Sequence, residues 1–245
     1  MTGNPTLSEK TFHEVRPTIV GESEAMTVQG AVNKTAVMLL FVTVAAGFTW
    51  NLFAEGKAAG NGWMIGGAVA GFIIALVTVF KKHWSPVTAP LYAIVQGLFI
   101  GGLSFTFNQQ FPGIVVQAVM FTFGTLAALL AAYSTGLIRA SSGLRRGIVA
   151  ATGGIMLVYL ASLVLGFFGI QIPGIFGSGL IGIGFSVVVV IVAAMNLILD
   201  FDLIESGARS GAPKYMEWYA SFALMVTLIW LYLEILRLLS KLRSR

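Results

Sequence analysis

The stretch from Asn196 to Glu205 reads Asn-Leu-Ile-Leu-Asp-Phe-Asp-Leu-Ile-Glu, and it closes an apolar run that has carried no charge since Gly147. Three carboxylates, those of Asp200, Asp202 and Glu205, therefore lie within six residues at the end of this run. On a helix, Asn196 and Asp200 are four residues apart and share a face, whereas Asp202 points about 200° away from Asp200. An acid at the end of a membrane helix is costly unless it faces a bundle interior or an aqueous cavity. We therefore expect a helix bundle built around Asp200, with Asp202 and Glu205 directed toward water.

Composition identifies the class of protein. The chain has 245 residues, of which 57% are hydrophobic and only 10% are charged, and its mean hydropathy is +0.87. A soluble domain is about one quarter charged, so we expect an integral membrane protein in contact with the lipid bilayer. The absence of cysteine excludes disulfides, Cys-ligated zinc and thiol catalysis. The net charge of +5 comes from Lys and Arg in short loops and at the termini, so no nucleic-acid partner is expected.

Uncharged runs give the number of membrane spans. Thr35–Ala54 and Ala58–Phe80 each match a hydrocarbon core of about 30 Å when helical. Val87–Ile138 and Gly147–Leu199 would each reach about 80 Å as one helix, so each must fold as a hairpin of two spans. Pro-Gly steps stop a helix and mark the two turns. The breaks are Asn108–Gly113 and Gln171–Gly174.

The last span is the least regular. It begins near Trp218, and only its extension to Leu239 gives a length of about 33 Å. Glu234 and Arg237 then lie in its final two turns, three residues apart, where they can pair. The sequence thus predicts an all-α integral membrane protein with seven transmembrane helices. A re-entrant last segment that returns to the starting side is the alternative.

The distribution of charge orients the chain. Residues 1–30 form a polar tail that we expect to be flexible, and residues 31–245 form the transmembrane domain. Thr27 is a candidate cap for the approach to the first span. With seven spans, ten of the 15 Lys and Arg residues fall on the N-terminal side. The positive-inside rule therefore favours a cytoplasmic N-terminus, although four basic residues at the C-terminus argue the other way.

Few residues can support catalysis. His13 and His83 both lie outside the spans, which excludes an intramembrane Ser-His dyad and a His-Glu-x-x-His metalloprotease site. Gly177–Gly182 fits the dinucleotide pattern G-x-G-x-x-G, but no strand precedes it, and close helix packing explains its glycines better. An enzyme is not expected. Close helix packing is also expected at three G-x-x-x-G pairs: Gly62–Gly66, Gly67–Gly71 and Gly97–Gly101.

The remaining chemistry is that of carboxylates. Burial and a neighbouring carboxylate both disfavour the charged form, and such a pair can titrate as a unit near neutral pH. Deprotonated carboxylates repel each other or bind a hard cation such as Ca²⁺. An acid can also simply mark the exit of a span into water. The exit role is favoured for Asp202 and Glu205, an interfacial ion pair for Glu234, and a helix–helix hydrogen bond for Gln96. For Asp200 both roles stay open.

Three motifs follow one another at specific spacings. They are Leu91-Tyr92 leading to Gln96–Gly101 in the third span, Leu199–Ile204 at the end of the sixth and Leu231–Leu236 in the seventh. In this order they resemble the bacterial branch of the Bax inhibitor-1/YccA family, over residues 26–242. The resemblance implies a six-helix bundle around a central C-terminal helix in a bacterial inner membrane. It also implies a pH-sensitive Ca²⁺ leak that depends on one acid in span six and another in span seven.

Under this resemblance Asp200 is the acid of span six. The acid of span seven stays open, because the pattern Leu-Tyr-Leu-acid selects Glu234, whereas counting without gaps from the start of the span selects Met225. The basic residue that relatives carry in span two has no counterpart in Ala58–Phe80. Gln96 stands where many relatives carry Glu.

Two functions are compatible with these features. The first is a cation leak, with Ca²⁺ as the candidate ion at Asp200 and no other cofactor. The second is a non-conducting membrane partner that regulates other membrane proteins through its glycine-rich faces and polar tail. The candidate ion-binding or gating residues are Asp200, Glu234, Asn196 and Asp202, with Gln96, Glu217 and Glu205 as secondary candidates.

Overall fold

A computed structural model of the chain describes residues 25–57, 59–169 and 174–244. In this part of the chain, seven helices are long and apolar enough to cross a membrane, which confirms the predicted all-α fold. A short 3-10 turn, Lys82–Trp84, precedes the third helix. The helices are α1 Val28–Ala54, α2 Ala59–Phe80, α3 Ser85–Gln110, α4 Ile114–Ser134, α5 Ser142–Phe167, α6 Leu180–Arg209 and α7 Met216–Arg243.

Helix α1 begins well before the uncharged run that predicted it. Thr27 is its N-cap, as predicted, and the Thr27 hydroxyl accepts a hydrogen bond from the Gly30 N–H at 2.9 Å. The helix includes Lys34, which the sequence had assigned to the approach. Residues 1–24 of the expected tail lie outside the described residues.

Helices α6 and α7 differ from expectation in length. Helix α6 runs through all three carboxylates to Arg209, so Asp200 lies within the helix and not at its end. Helix α7 is unbroken from Met216 to Arg243, which contradicts a re-entrant last segment. It is also the most buried span: 67% of its most apolar stretch is buried, against 17% in α1, α2, α4 and α5. That burial is expected of a central helix.

The chain forms two compact units, and α6 and α7 contribute to both. The N-terminal unit comprises residues 25–112 and Leu203–Val226, and the C-terminal unit comprises residues 113–202 and 227–244. The N-terminal unit contains α1, α2 and α3, and α3 packs against both of the others. The C-terminal unit contains α4, α5, most of α6 and the second half of α7.

Glycines allow the close approach of helices in the N-terminal unit. A Cβ at Gly97 of α3 would come within 2.5 Å of the Val42 carbonyl of α1, and Gly101 lies equally close to α1. The Gly67–Gly71 pair of α2 lies against α3. The packing role predicted for these two pairs is confirmed. It is wrong for Gly62–Gly66, since a Cβ at either glycine would meet no atom within 4 Å in the described chain.

Candidate functional site

Asp200 and Asn196 lie one turn apart on the buried face of α6. The residues are 0% and 1% exposed, respectively. Helical spacing placed both on one face, and the burial of both confirms that this face points inward. Nine further helical residues follow Asp200, so its carboxylate lies deep in a membrane-length helix. A carboxylate in this position requires a proton, a cation or hydrogen-bond donors.

Hydrogen bonds fix the orientation of the Asn196 amide. Its Nδ2 donates to Thr152 Oγ1 of α5 at 2.9 Å and to the Val192 carbonyl at 2.8 Å. Because a carbonyl can only accept, the nitrogen must face Val192 and the oxygen Oδ1 takes the other side of the amide. Oδ1 is buried, and no donor reaches it in the described part of the chain. An unsatisfied buried oxygen costs about 1–3 kcal/mol, so this atom favours a proton donor or a cation nearby.

Asp202 forms an ion pair between helices. Its Oδ2 lies 2.5 Å from Arg145 Nη2, and the two side chains are 28% and 17% exposed. Arg145 can reach it because Ser141 caps α5 and places Arg145 in the first turn of that helix. The expectation that Asp202 faces water is met only in part, because its side chain is partly exposed but Arg145 of α5 neutralises it.

Glu205 behaves as the sequence predicted. It pairs with Arg209 one turn later on the same helix, and its side chain is 37% exposed. An exposed pair with this spacing contributes only a few tenths of a kcal/mol. Glu205 therefore marks the part of α6 that reaches water.

Glu234 is buried in a three-membered cluster of the C-terminal unit. The Tyr159 hydroxyl of α5 donates to Glu234 Oε1 at 2.9 Å, and Arg237 Nη1 lies 3.0 Å from the same oxygen. Arg237 Nη1 also donates to the Tyr159 hydroxyl at 2.8 Å, and its guanidinium lies over the Tyr159 ring. The geometry is that of an ion pair with an aromatic third partner.

Asp200 and Glu234 occupy different levels of the C-terminal unit. Asn196 contacts Thr152 on α5 and Glu234 contacts Tyr159, which are about 10 Å apart along that helix. Asp200 lies one turn, about 6 Å, beyond Asn196 in the opposite direction. An apolar cluster fills the space between the two levels. It consists of Ile155, Val189 and Val192, with Phe185 and Trp230 packed against it. The two acids therefore do not form one dyad.

Glu217 is the most extensively bonded acid of the described residues, although the sequence ranked it only among the secondary candidates. It is 0% exposed and accepts hydrogen bonds from the Thr27 N–H at 2.8 Å and the Thr27 hydroxyl at 2.9 Å. It also pairs with Lys34 of α1 and with Lys214, whose Nζ lies at 3.2 Å. Glu217 thus joins the start of α1 to the start of α7. Lys34 and Glu217 are oppositely charged residues in two membrane-length helices, and this is the feature of the sequence that could have predicted their pairing. No local sequence pattern indicated that the two side chains meet.

The other candidates have simpler surroundings. Gln96 packs its Oε1 against Gly71 of α2, and its predicted helix–helix hydrogen bond stays a prediction. Met225 is buried in α7. Burial raises the pKa of Tyr215 in the link between α6 and α7, so this phenol stays neutral at physiological pH. The described residues contain no cluster of three or more His, Cys, Asp and Glu side chains able to hold a metal. A cation at Asp200 would therefore rely on amide, hydroxyl, carbonyl or water oxygens.

Comparison with known proteins identifies the family. The family model described as "Bax inhibitor 1 like" matches residues 4–244, which is nearly the whole chain. No match was found among curated proteins. The matched region includes all seven membrane-length helices and every candidate residue described above. The chain therefore belongs to the Bax inhibitor 1 like family of multi-pass membrane proteins.

Proposed function

We propose that the protein is a pH-sensitive cation leak channel in which Asp200 is the titrating group and Ca²⁺ is the candidate ion. The observation that carries the proposal is the buried pair formed by Asp200 and Asn196. The Asp200 carboxylate lies one turn from the Asn196 amide oxygen on the same inward face of α6, and no donor reaches that amide oxygen in the described chain. A buried acid is rare in a membrane helix and commonly marks an ion or proton pathway.

The pair offers two stable states. When Asp200 is protonated, the carboxyl is neutral, and its O–H is a donor suited to a buried acceptor such as Asn196 Oδ1. When Asp200 is deprotonated, its carboxylate and the amide oxygen are both ligands that a hard cation prefers. Thr152 and the Val192 carbonyl hold the amide in place for either state. Proton binding and cation binding therefore compete at one site.

The neighbouring acids are assigned other roles. Arg145 neutralises Asp202, and Arg237 neutralises Glu234. Each of these carboxylates already has a cation within the C-terminal unit, so neither is a free ligand for a permeant ion. The proposal thus assigns the pH dependence to one carboxylate, Asp200, and involves no catalytic step.

We also propose that the N-terminus is cytoplasmic, in a bacterial inner membrane. The excess of Lys and Arg on the N-terminal side supports this orientation. The basic residues near the C-terminus, which argued against it, have structural partners. Arg237 binds Tyr159, Lys241 binds Ser186 and Arg243 binds Gln117. Cations that tie helices together are weaker evidence of orientation than free loop charges.

Flux from liposomes tests the channel. The purified full chain is reconstituted with a Ca²⁺ indicator inside the vesicles, and Ca²⁺ entry is followed at several pH values between 6 and 8. Wild type should conduct in a pH-dependent manner, and Asp200→Asn should lose the pH dependence. Glu205→Gln, at an exposed acid of the same helix, is the matched control and should resemble wild type.

A non-conducting membrane partner is the second candidate. One observation favours it: Asp202, Glu217 and Glu234 are each neutralised by a basic residue, as expected in a sealed bundle. It predicts no flux at any pH and specific co-purification with other membrane proteins, weakened by removal of residues 1–25. A wild-type protein that conducts no Ca²⁺ at any pH in the liposome assay would overturn the channel proposal and favour this candidate.

A further inference from the structure

The ammonium group of Lys241 lies in a pocket of neutral oxygens. The residue is 6% exposed although it is two residues from the end of α7. Its Nζ donates to the carbonyls of Ile175 and Gly182 at 3.0 Å and 2.9 Å, and to Ser186 Oγ at 2.9 Å. An ammonium has three N–H donors, so these three acceptors satisfy it completely. We call this set of three oxygens the cradle.

A glycine-rich turn brings the cradle oxygens together. A Cβ at Gly182 would lie 2.8 Å from the Gly174 carbonyl and still closer to the Gly177 carbonyl. Only glycine therefore lets the preceding turn fold over the first turn of α6. The G-x-G-x-x-G pattern of Gly177–Gly182 spans the end of this turn and the first residues of α6. In dinucleotide sites the backbone N–H groups converge on an anion, whereas here carbonyl oxygens converge on a cation.

We propose that the cradle is a binding site for a monovalent cation of about the size of ammonium, and that the Lys241 side chain is its tethered occupant. Backbone carbonyls can replace the hydration shell of such an ion, as in cation-selective pores. No carboxylate is among the three ligands, which disfavours a divalent ion. The acid nearest along α7, Glu234, is two turns away and pairs with Arg237. The charge of Lys241 is therefore held mainly by the cradle oxygens.

Ser186 of the cradle and Asp200 belong to one buried face of α6. Ser186, Asn196 and Asp200 share this face at helical spacing, and Val189 lies between Ser186 and Asn196 in the packed apolar cluster. Ser186 is about 21 Å from Asp200 along this face. One step rests on the proposed function, namely that this face of α6 lines the leak. In that case Lys241 plugs the end of the path that is farthest from Asp200. Removal of the ammonium would then leave a site that a free cation can enter.

Thermal unfolding of the purified full chain tests the cradle without any flux measurement. The variants are Lys241→Ala, which opens the cradle, and Lys241→Met, which fills it with an apolar chain. Each is unfolded in choline chloride, ammonium chloride and potassium chloride at equal ionic strength. Wild type should unfold at the same temperature in all three salts. Lys241→Ala should unfold several degrees lower in choline and recover in ammonium or potassium in a saturable manner, whereas Lys241→Met should not recover.

Equal unfolding temperatures for Lys241→Ala in all three salts would overturn the cradle. If Lys241→Ala does not fold in any salt, Ser186→Ala decides, because it removes one acceptor and keeps the lysine. Lys241 of wild type should resist an amine-acylating reagent that modifies Lys57, whose side chain is 59% exposed. Labelling of Lys241 should rise severalfold in Ser186→Ala, and unchanged protection would contradict the cradle.

A flux measurement then tests whether Lys241 plugs the leak, separately from whether the cradle binds a cation. Lys241→Ala should leak severalfold faster than wild type, and ammonium should slow it again. A variant that recovers its stability in ammonium but leaks at the wild-type rate would overturn the plug and leave the cradle in place. If wild type does not leak at all, the channel fails, and the thermal experiment still decides the cradle.

Discussion

Gly30→Ala is predicted to destabilise the N-terminal unit, although alanine is the better helix former. Gly30 lies in the first turn of α1, beneath the carboxylate of Glu217. A Cβ at this position would overlap that carboxylate. The carboxylate cannot move freely, because Thr27, Lys34 and Lys214 all hold it. The added methyl group must therefore break some of these interactions.

The hydrogen bonds that break set the magnitude of the effect. A hydrogen bond to a charged group contributes roughly 1.5–3 kcal/mol, and displacement of the carboxylate from Thr27 removes two of them. The destabilisation from these two bonds is then about 3–6 kcal/mol, and the better helix propensity of alanine offsets about 1 kcal/mol of it. The net destabilisation is about 2–5 kcal/mol. At about 2–4 °C per kcal/mol for a chain of this size, the unfolding temperature should fall by roughly 4–20 °C.

Thermal unfolding in detergent measures this effect, with Gly47→Ala as the matched control. Gly47 lies in the same helix, and a Cβ there meets no atom within 4 Å in the described chain, so alanine should leave the stability unchanged or raise it by up to about 1 kcal/mol. In a Glu217→Ala background, Gly30→Ala should cost much less, because the overlap is gone. The reasoning is refuted if Gly30→Ala and Gly47→Ala unfold at the same temperature.

Two further predictions use the same unfolding assay. Arg145→Met leaves Asp202 half-buried without its cation and should destabilise the protein by about 1–3 kcal/mol, less than the loss of a fully buried pair. Arg146 is exposed, so the control Arg146→Met should change the stability by no more than about 0.5 kcal/mol. Equal effects of the two substitutions would contradict the pairing of Asp202 with Arg145. Gly97→Ala should push α3 away from α1 and destabilise the protein by about 1–3 kcal/mol. The control Gly62→Ala should leave the stability unchanged or raise it. A Gly97→Ala variant as stable as wild type would contradict the close packing of α1 and α3.

Much of the fold could be predicted because a membrane span has a fixed length. Uncharged runs and the Pro112-Gly113 step located α3 and α4 to within a few residues. The same rule failed at the ends of α1 and α7, because it treats every charge as the end of a span. Lys34 and Glu217 are tolerated inside helices since each neutralises the other. Their pairing joins opposite ends of the chain, and no local pattern reveals it.

The candidate site was only partly predictable for a related reason. Helical spacing placed Asn196 and Asp200 on one buried face correctly, because that inference needs one helix alone. The partners of Asp202 and Glu234 come from α5, and the register between two helices cannot be read from one sequence. Lys241 was counted as a terminal charge because its acceptors are backbone carbonyls, which any residue supplies.

The most direct test uses the composition of the chain, since Asp200 and Asp202 are its two aspartates. Incorporation of aspartate labelled with ¹³C at the side-chain carboxyl, in an Asp202→Asn variant, leaves the Asp200 carboxyl as the labelled side chain. Its NMR signal reports the protonation of this one group. The proposed function predicts that the signal changes over the same pH range in which the flux changes. A carboxyl that keeps one protonation state throughout that range would contradict the assignment of gating to Asp200.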